Sequence, residues 1–193
     1  IHDGLRIFID SENNGDGKFL RWTYNECWKF SLPDPKRYDY INEYNIPEVS
    51  QLKQVCYCYH KSDEIIIHSS ESAQTNRIEN EPILFIASGI SDRLLIQYSI
   101  EVTQFSLSEK EYRFWEEMKQ IDESGGNIFE KQPFSIKSNI HNINDPAEPV
   151  LGYFQVSATE KKRFFITWEE IADLNLPAYN YDCESIKIGP ADY

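Results

Sequence analysis

Leu94, Ile96, Tyr98, Ile100 and Val102 share one parity of a run ending near Phe105, and Gln97, Ser99, Glu101 and Thr103 share the other. That two-residue period is the signature of a β-strand with one buried and one wet face. Just beyond it the period changes. Ser108 and Glu111 stand at capping-box spacing, Leu107 and Tyr112 at the spacing of a hydrophobic staple. Tyr112, Trp115, Met118 and Ile121 then recur at helical intervals, with Phe114 widening the stripe, and Ser124, Gly125 and Gly126 end it. A long strand running into one sharply capped helix, at about 109–123, points to a mainly β, β-rich α+β fold.

The remaining segments fit that class. Leu5, Ile7 and Ile9 alternate with Arg6, Phe8 and Asp10. A second strand pattern, about Lys18–Phe30, places Leu20, Trp22, Tyr24, Trp28 and Phe30 on one face, interrupted by Glu26. Between them lies SENNGDG, whose Asn-Gly and Asp-Gly pairs predict a hairpin. Further strands are expected at about Gln54–His60, at Glu64–His68 (buried on both faces, since Ile65, Ile66 and Ile67 are consecutive), after Pro82, and at Arg163–Trp168. Consecutive strands with a single inserted helix favour a mostly antiparallel sheet or sandwich, with the helix packed on it, over alternating βαβ units. The expectation is one domain spanning residues 1–193.

One stretch, Phe129–Phe154, concentrates polar turn chemistry. Phe134, Ile136, Ser138 and Ile140 read as one strand face, Val150, Gly152, Phe154 and Val156 as another. Asn142, Asn144, Asp145 and Pro146 crowd between them as a corner. The plain reading is a rigid turn between strands; the sharper one makes Asn139, His141, Asn142 and Asp145 a small ligand-binding site. A metal is not expected there, because His141 has no second ligand nearby in sequence.

Other chemistry is sparse. The net charge of -13 repels phosphate backbones and argues against nucleic acid. No apolar run is long enough to span a bilayer. Asp10, Glu12, Asn14 and Asp16 resemble the first half of a calcium loop, but Arg21 stands where a bidentate Glu should close it. Cys27, Cys56, Cys58 and Cys183 lack zinc-site spacing. Gly15-Asp16-Gly17 lacks the third glycine and following helix of a dinucleotide site. No cofactor and no catalytic constellation is predicted. The polar stretch Ser31–Gln51, carrying Tyr38, Tyr40 and Tyr44, and exposed Trp residues would supply stacking platforms to a glycan. A hydrolase would need carboxylates gathered by folding.

The blocks DGLRIFID, FLRWTYNECWKF, RLLIQYSIEVTQFSLSEKEYRFWEEMK and GGNIFEKQPFSIKSNIHNINDPAEPVLGYFQVSATEKKRFFI together resemble domain-of-unknown-function family 4249 (DUF4249) of Bacteroidetes, over roughly Asp3–Ile166. Asn139–Ile140, Asp145–Pro146 and Gly152–Tyr153–Phe154 carry its most specific part. Cys27 departs from the Glu-Thr-Trp motif more often found there. The resemblance implies an outer-membrane lipoprotein at the cell surface, of which this chain is the C-terminal portion, held to the membrane only through an upstream lipid anchor. It implies a non-enzymatic role as accessory to a TonB-dependent outer-membrane receptor in nutrient uptake, and carries over no catalytic residues. A glycan-binding module is the second expectation and a hydrolase the third. An oxidising envelope would further allow a Cys58–Cys183 disulfide, leaving Cys27 to pair with Cys56 or stay a thiol.

Overall fold

The computed structural model describes residues 3–12, 18–31, 42, 44–45, 47, 55–70, 77–123, 138–148, 150, 152–174 and 176. Among these lie seven strands, β1 (Gly4–Glu12), β2 (Phe19–Ser31), β3 (Val55–Lys61), β4 (Ile66–Ser69), β5 (Arg77–Ala87), β6 (Gln97–Leu107) and β7 (Ala158–Thr167), and one helix, α1 (Glu109–Glu123). The β-rich α+β expectation is met, and the helix occupies the span its caps dictate.

All pairings are antiparallel, in two sheets. The larger is ordered β3-β2-β6-β7, and β4 also pairs with β2. β3 takes the Asn25–Ser31 half of β2 and β4 the Phe19–Trp22 half. The two expected strands at 54–68 are therefore one edge of the sheet, broken by Ser62–Ile65. Ser62 closes the break, its N–H donating to the Tyr24 carbonyl at 2.9 Å. The consecutive isoleucines are half-buried rather than covered on both faces.

Among the described residues β1 and β5 form the smaller sheet by themselves. This overturns the hairpin expected at SENNGDG: β1 pairs with β5, and β2 belongs to the other layer. Asn-Gly and Asp-Gly signal a chain reversal but do not say which layer the chain re-enters. Leu5, Ile7 and Ile9 find cover across the sandwich instead, against the even-numbered face of β2 and β6. Trp22, Leu20, Tyr24, Tyr98, Ile100 and Val102 from that face, with Ile78, Ile83 and Ile86 of β5, make the main core. The β1–β5 ribbon has two register shifts. At one of them Asn80 takes a positive φ of 57° and donates its N–H to Asp10 Oδ1 at 2.8 Å; at the other sit Phe8 and Pro82, a residue strands tolerate best at edges and bulges.

β6 corrects a second expectation. It starts at Gln97, because Asp92–Leu94 forms a single 3₁₀ turn capped by Ser91. Its second face is not uniformly wet: Ser99 and Thr103 are buried between flanking strands, and Arg163 of β7 donates to Ser99 Oγ at 3.3 Å.

The helix packs on the opposite, odd-numbered face at the Phe19 end. Ser108 N–H donates to Glu111 Oε2 at 2.6 Å and Glu111 N–H to Ser108 Oγ at 3.4 Å, completing the capping box. Leu107 and Tyr112 close the staple in a second small core with Phe19. Arg21 lies flat on Trp115, its guanidinium carbon 3.6 Å from the ring centroid, and burial lowers the Arg21 pKa.

Candidate functional site

Sequence chemistry gave Glu26 only as an interruption in an apolar face, yet it is the most enclosed charged group described, at 1% exposure. Both carboxylate oxygens are occupied. Oε1 accepts from Tyr98 OH at 2.7 Å and from Arg93 Nη1 at 3.0 Å, while His60 Nδ1 lies 2.7 Å from Oε2. Each partner comes from a different place: His60 directly opposite on β3, Tyr98 diagonally on β6, Arg93 from the 3₁₀ turn. Arg93 also stands 5.3 Å from the Trp28 ring. Burial first, then the hydrogen bond to Glu26, pushes the Tyr98 phenol far above its ordinary range. Burial raises Tyr24 as well. Three partners take up most of the carboxylate's acceptor sites, and at this burial the group has no open approach for a substrate. We read the cluster as a lock between β2, β3, β6 and the turn.

The 138–157 corner has the reverse distribution. Its described residues form turns and irregular chain where alternation predicted two strands, and Phe134 and Ile136 of the first lie outside the described residues. Asn139 holds it together, donating from Nδ2 to the Phe154 carbonyl and accepting at Oδ1 from the Phe154 N–H, both at 2.7 Å. One side-chain amide thus replaces a pair of strand-ladder bonds. Ser138 Oγ donates to the Gly152 carbonyl at 2.6 Å and accepts from Ile140 N–H at 2.9 Å. Gly152 has φ 127°, a left-handed conformation that favours glycine. Asn142 Oδ1 accepts from Asn144 N–H at 2.8 Å, and Asn142 Nδ2 donates to Glu148. Asp145 Oδ1 accepts from Ala147 N–H at 3.1 Å, an Asx turn. Three of the four residues expected to form a polar site, Asn139, Asn142 and Asp145, therefore serve the loop's own backbone. His141 is exposed.

The corner docks on α1 through Tyr153, whose ring centroid is 5.0 Å from that of Phe114, and Gln155, which accepts from Trp115 Nε1 at 3.1 Å. With 153 and 155 turned inward, 154 and 156 face out, opposite to the parity read from sequence. Phe154 is 70% exposed, Val156 79% and Ile143 87%. The hydrogen-bonded loop spends its polar side chains on itself and shows apolar ones to water. Exposed apolar groups on an ordered scaffold mark interaction surfaces more often than scattered ones do.

The model of the family described as a domain of unknown function, DUF4249, matches residues 2–163, covering both sheets' β1–β6, the helix and this corner. The chain belongs to that family. No curated protein and no solved structure matches it.

Asp10 and Glu12 lie on β1, Asp10 capping Asn80 and Glu12 3.7 Å from Arg77; Asn14 and Asp16 lie outside the described residues. No group of three His, Cys, Asp or Glu side chains placed to hold a metal occurs among the described residues. Cys27, Cys56 and Cys58 are half-buried free thiols, and Cys183 lies outside the described residues. A Cys27–Cys56 bridge is ruled out by parity: Cys56 pairs with Phe30 and Cys58 with Trp28 on one sheet face, whereas Cys27 is on the other, opposite Tyr59. Tyr44 is exposed in a turn closed by Asn42; Tyr38 and Tyr40 lie outside the described residues.

The odd-numbered face away from the helix holds one more aromatic group. Tyr59, Cys27, Ser99 and Phe165 form a single row across β3, β2, β6 and β7. Tyr59 and Phe165 are exposed and flank the two small residues, about 14 Å apart at the usual strand spacing.

Proposed function

We propose that this domain is a non-enzymatic docking module that meets a protein partner through the apolar side chains of the 138–157 corner. The observation that carries this reading is the exposure of Phe154, Val156 and Ile143 on a loop fixed by the Asn139 clamp and by Tyr153 and Gln155 on α1. Such side chains cost free energy in water at roughly 25 cal/mol per Å² and recover it when covered. Glu26, whose donors are all structural, favours a binding role over a hydrolytic one. The partner we assign is a TonB-dependent outer-membrane receptor, with this chain as a surface lipoprotein portion accessory to uptake. No helix among the described residues is long and apolar enough to cross a membrane, which fits attachment through a partner or a lipid anchor.

Photo-crosslinking in the native cell tests this. With benzoylphenylalanine replacing Phe154, a light-dependent adduct with one outer-membrane receptor is expected. Adducts from position 165 but not from 154 would overturn it.

Glycan binding is the second reading, favoured by Tyr59 and Phe165 standing exposed around the Cys27–Ser99 floor. It predicts that Tyr59→Ser abolishes retention on a glycan matrix while Phe154→Ser does not.

A further inference from the structure

The small sheet is open on one side. Among the described residues β1 pairs only with β5, and the backbone N–H and C=O groups of its other edge have no ladder partner among them. Beneath that edge the larger sheet extends outward: Glu160, Lys162 and Phe164 of β7 lie opposite Gln104, Val102 and Ile100 of β6, on the face that supports the small sheet. β7 is exposed along most of its length. The result is a groove of about 490 Å³ with the 7–12 segment of β1 as one wall, β7 as the other, and Trp22 and Val102 among the residues of its lining. A two-stranded sheet is marginal alone, and a third strand laid here would pair with β1 while covering β7.

The groove's charge selects what fits. Asp10, Glu12 and Glu160 line it against a single cation, Lys162, whose Nζ sits 5.0 Å from the Phe164 ring centroid. Glu160 has no ion-pair partner among the described residues. Edge charges commonly guard a strand against unwanted pairing. A rim with three carboxylates to one lysine, only Glu12 having an arginine (Arg77, 3.7 Å) near it, repels a second copy of this chain, with its net charge of -13, and attracts a segment of opposite charge.

We propose that the open edge of β1 takes up an extended, cationic peptide segment of a partner as a third strand of the small sheet. Backbone pairing supplies affinity, and alternate side chains divide between the apolar lining and the acidic rim. The proposal is independent of the corner: it concerns another face and survives if the corner binds nothing.

Calorimetric titration of the 193-residue chain with a capped octapeptide alternating Lys and Val tests it, alongside the same peptide N-methylated on the edge-pairing amides. Saturable one-to-one binding is expected, with slower amide exchange within Gly4–Glu12. N-methylation, or Glu160→Lys on the exposed β7, should each weaken binding roughly tenfold or more. Equal binding of the N-methylated peptide would reduce the effect to charge attraction and overturn the proposal. So would absence of binding, or a dimer of the chain through β1 that the peptide does not displace.

Discussion

The Glu26 cluster and the 138–157 corner are mirror images of one physical rule. In both, every polar side chain that matters is hydrogen-bonded within the protein. Around Glu26 this leaves a charge sealed among apolar neighbours; around Asn139 it leaves apolar side chains in water. Polar residues alone therefore do not locate function here. In the first region they are a lock whose removal breaks the fold. In the second they are a frame, and what the frame displays is the apolar surface we propose as the docking site.

The contrast can be broken most forcefully at Glu26. Replacing it by Ala leaves Arg93, Tyr98 and His60 without their shared acceptor and should cost about 3–5 kcal/mol, as for other broken buried ion pairs. Urea unfolding measures it, and a loss under about 1 kcal/mol would mean the cluster is not a lock.

Alkali probes the same region. Tyr98 has a pKa raised in the folded state, chiefly by burial and then by its bond to Glu26. The unfolded phenol titrates near 10, so above that pH the unfolded chain releases a proton the folded chain keeps. The stabilisation is whole below about pH 10 and declines above it, by up to about 1.4 kcal/mol per pH unit for each such phenol. Absorbance of tyrosinate at rising pH should show Tyr98 ionising only together with unfolding.

Asn139→Ala removes both bonds to Phe154, at an exposed site where water partly replaces them, and should cost about 1–2 kcal/mol. Asn139→Asp keeps the acceptor but sets a carboxylate oxygen against the Phe154 carbonyl, and should cost at least as much. Ser108→Ala should cost about 1 kcal/mol through the helix cap. Comparing these two in thermal unfolding tells whether the corner is fastened as firmly as the helix start. Trp115→Ala should fall short of the roughly 3–5 kcal/mol of a fully buried ring, since Trp115 is only half-buried under Arg21.

Local rules were legible in the sequence to the residue. The capping box Ser108–Glu111, the staple Leu107–Tyr112, the even-numbered apolar face of β2 and the buried Tyr98, Ile100 and Val102 of β6 stand as read. What failed was whatever depends on the third dimension. The Asn-Gly and Asp-Gly turn signals could not reveal that β1 crosses to another layer, because pairing partners are chosen by which apolar faces need cover. The parity of 153–156 was reversed, because Tyr153 and Gln155 answer to Phe114 and Trp115 on a helix forty residues upstream. Glu26 looked like a flaw in a stripe, since its partners are 34, 67 and 72 residues away. A polar residue at an apolar position was the one available signal of the lock. For the corner, the cue was the opposite: Asn and Asp dense enough to satisfy a loop internally, with Ile143, Phe154 and Val156 left over.

The central claim is that frame and displayed surface are separable, and one paired measurement addresses it. Thermal unfolding and receptor capture from native membranes are compared for Asn139→Ala and for the double change Phe154→Ser with Val156→Ser. The double variant should melt within about 0.5 kcal/mol of the parent and lose capture, whereas Asn139→Ala should lower stability measurably. A double variant that is clearly destabilised, or that captures the receptor as well as the parent does, would contradict the account.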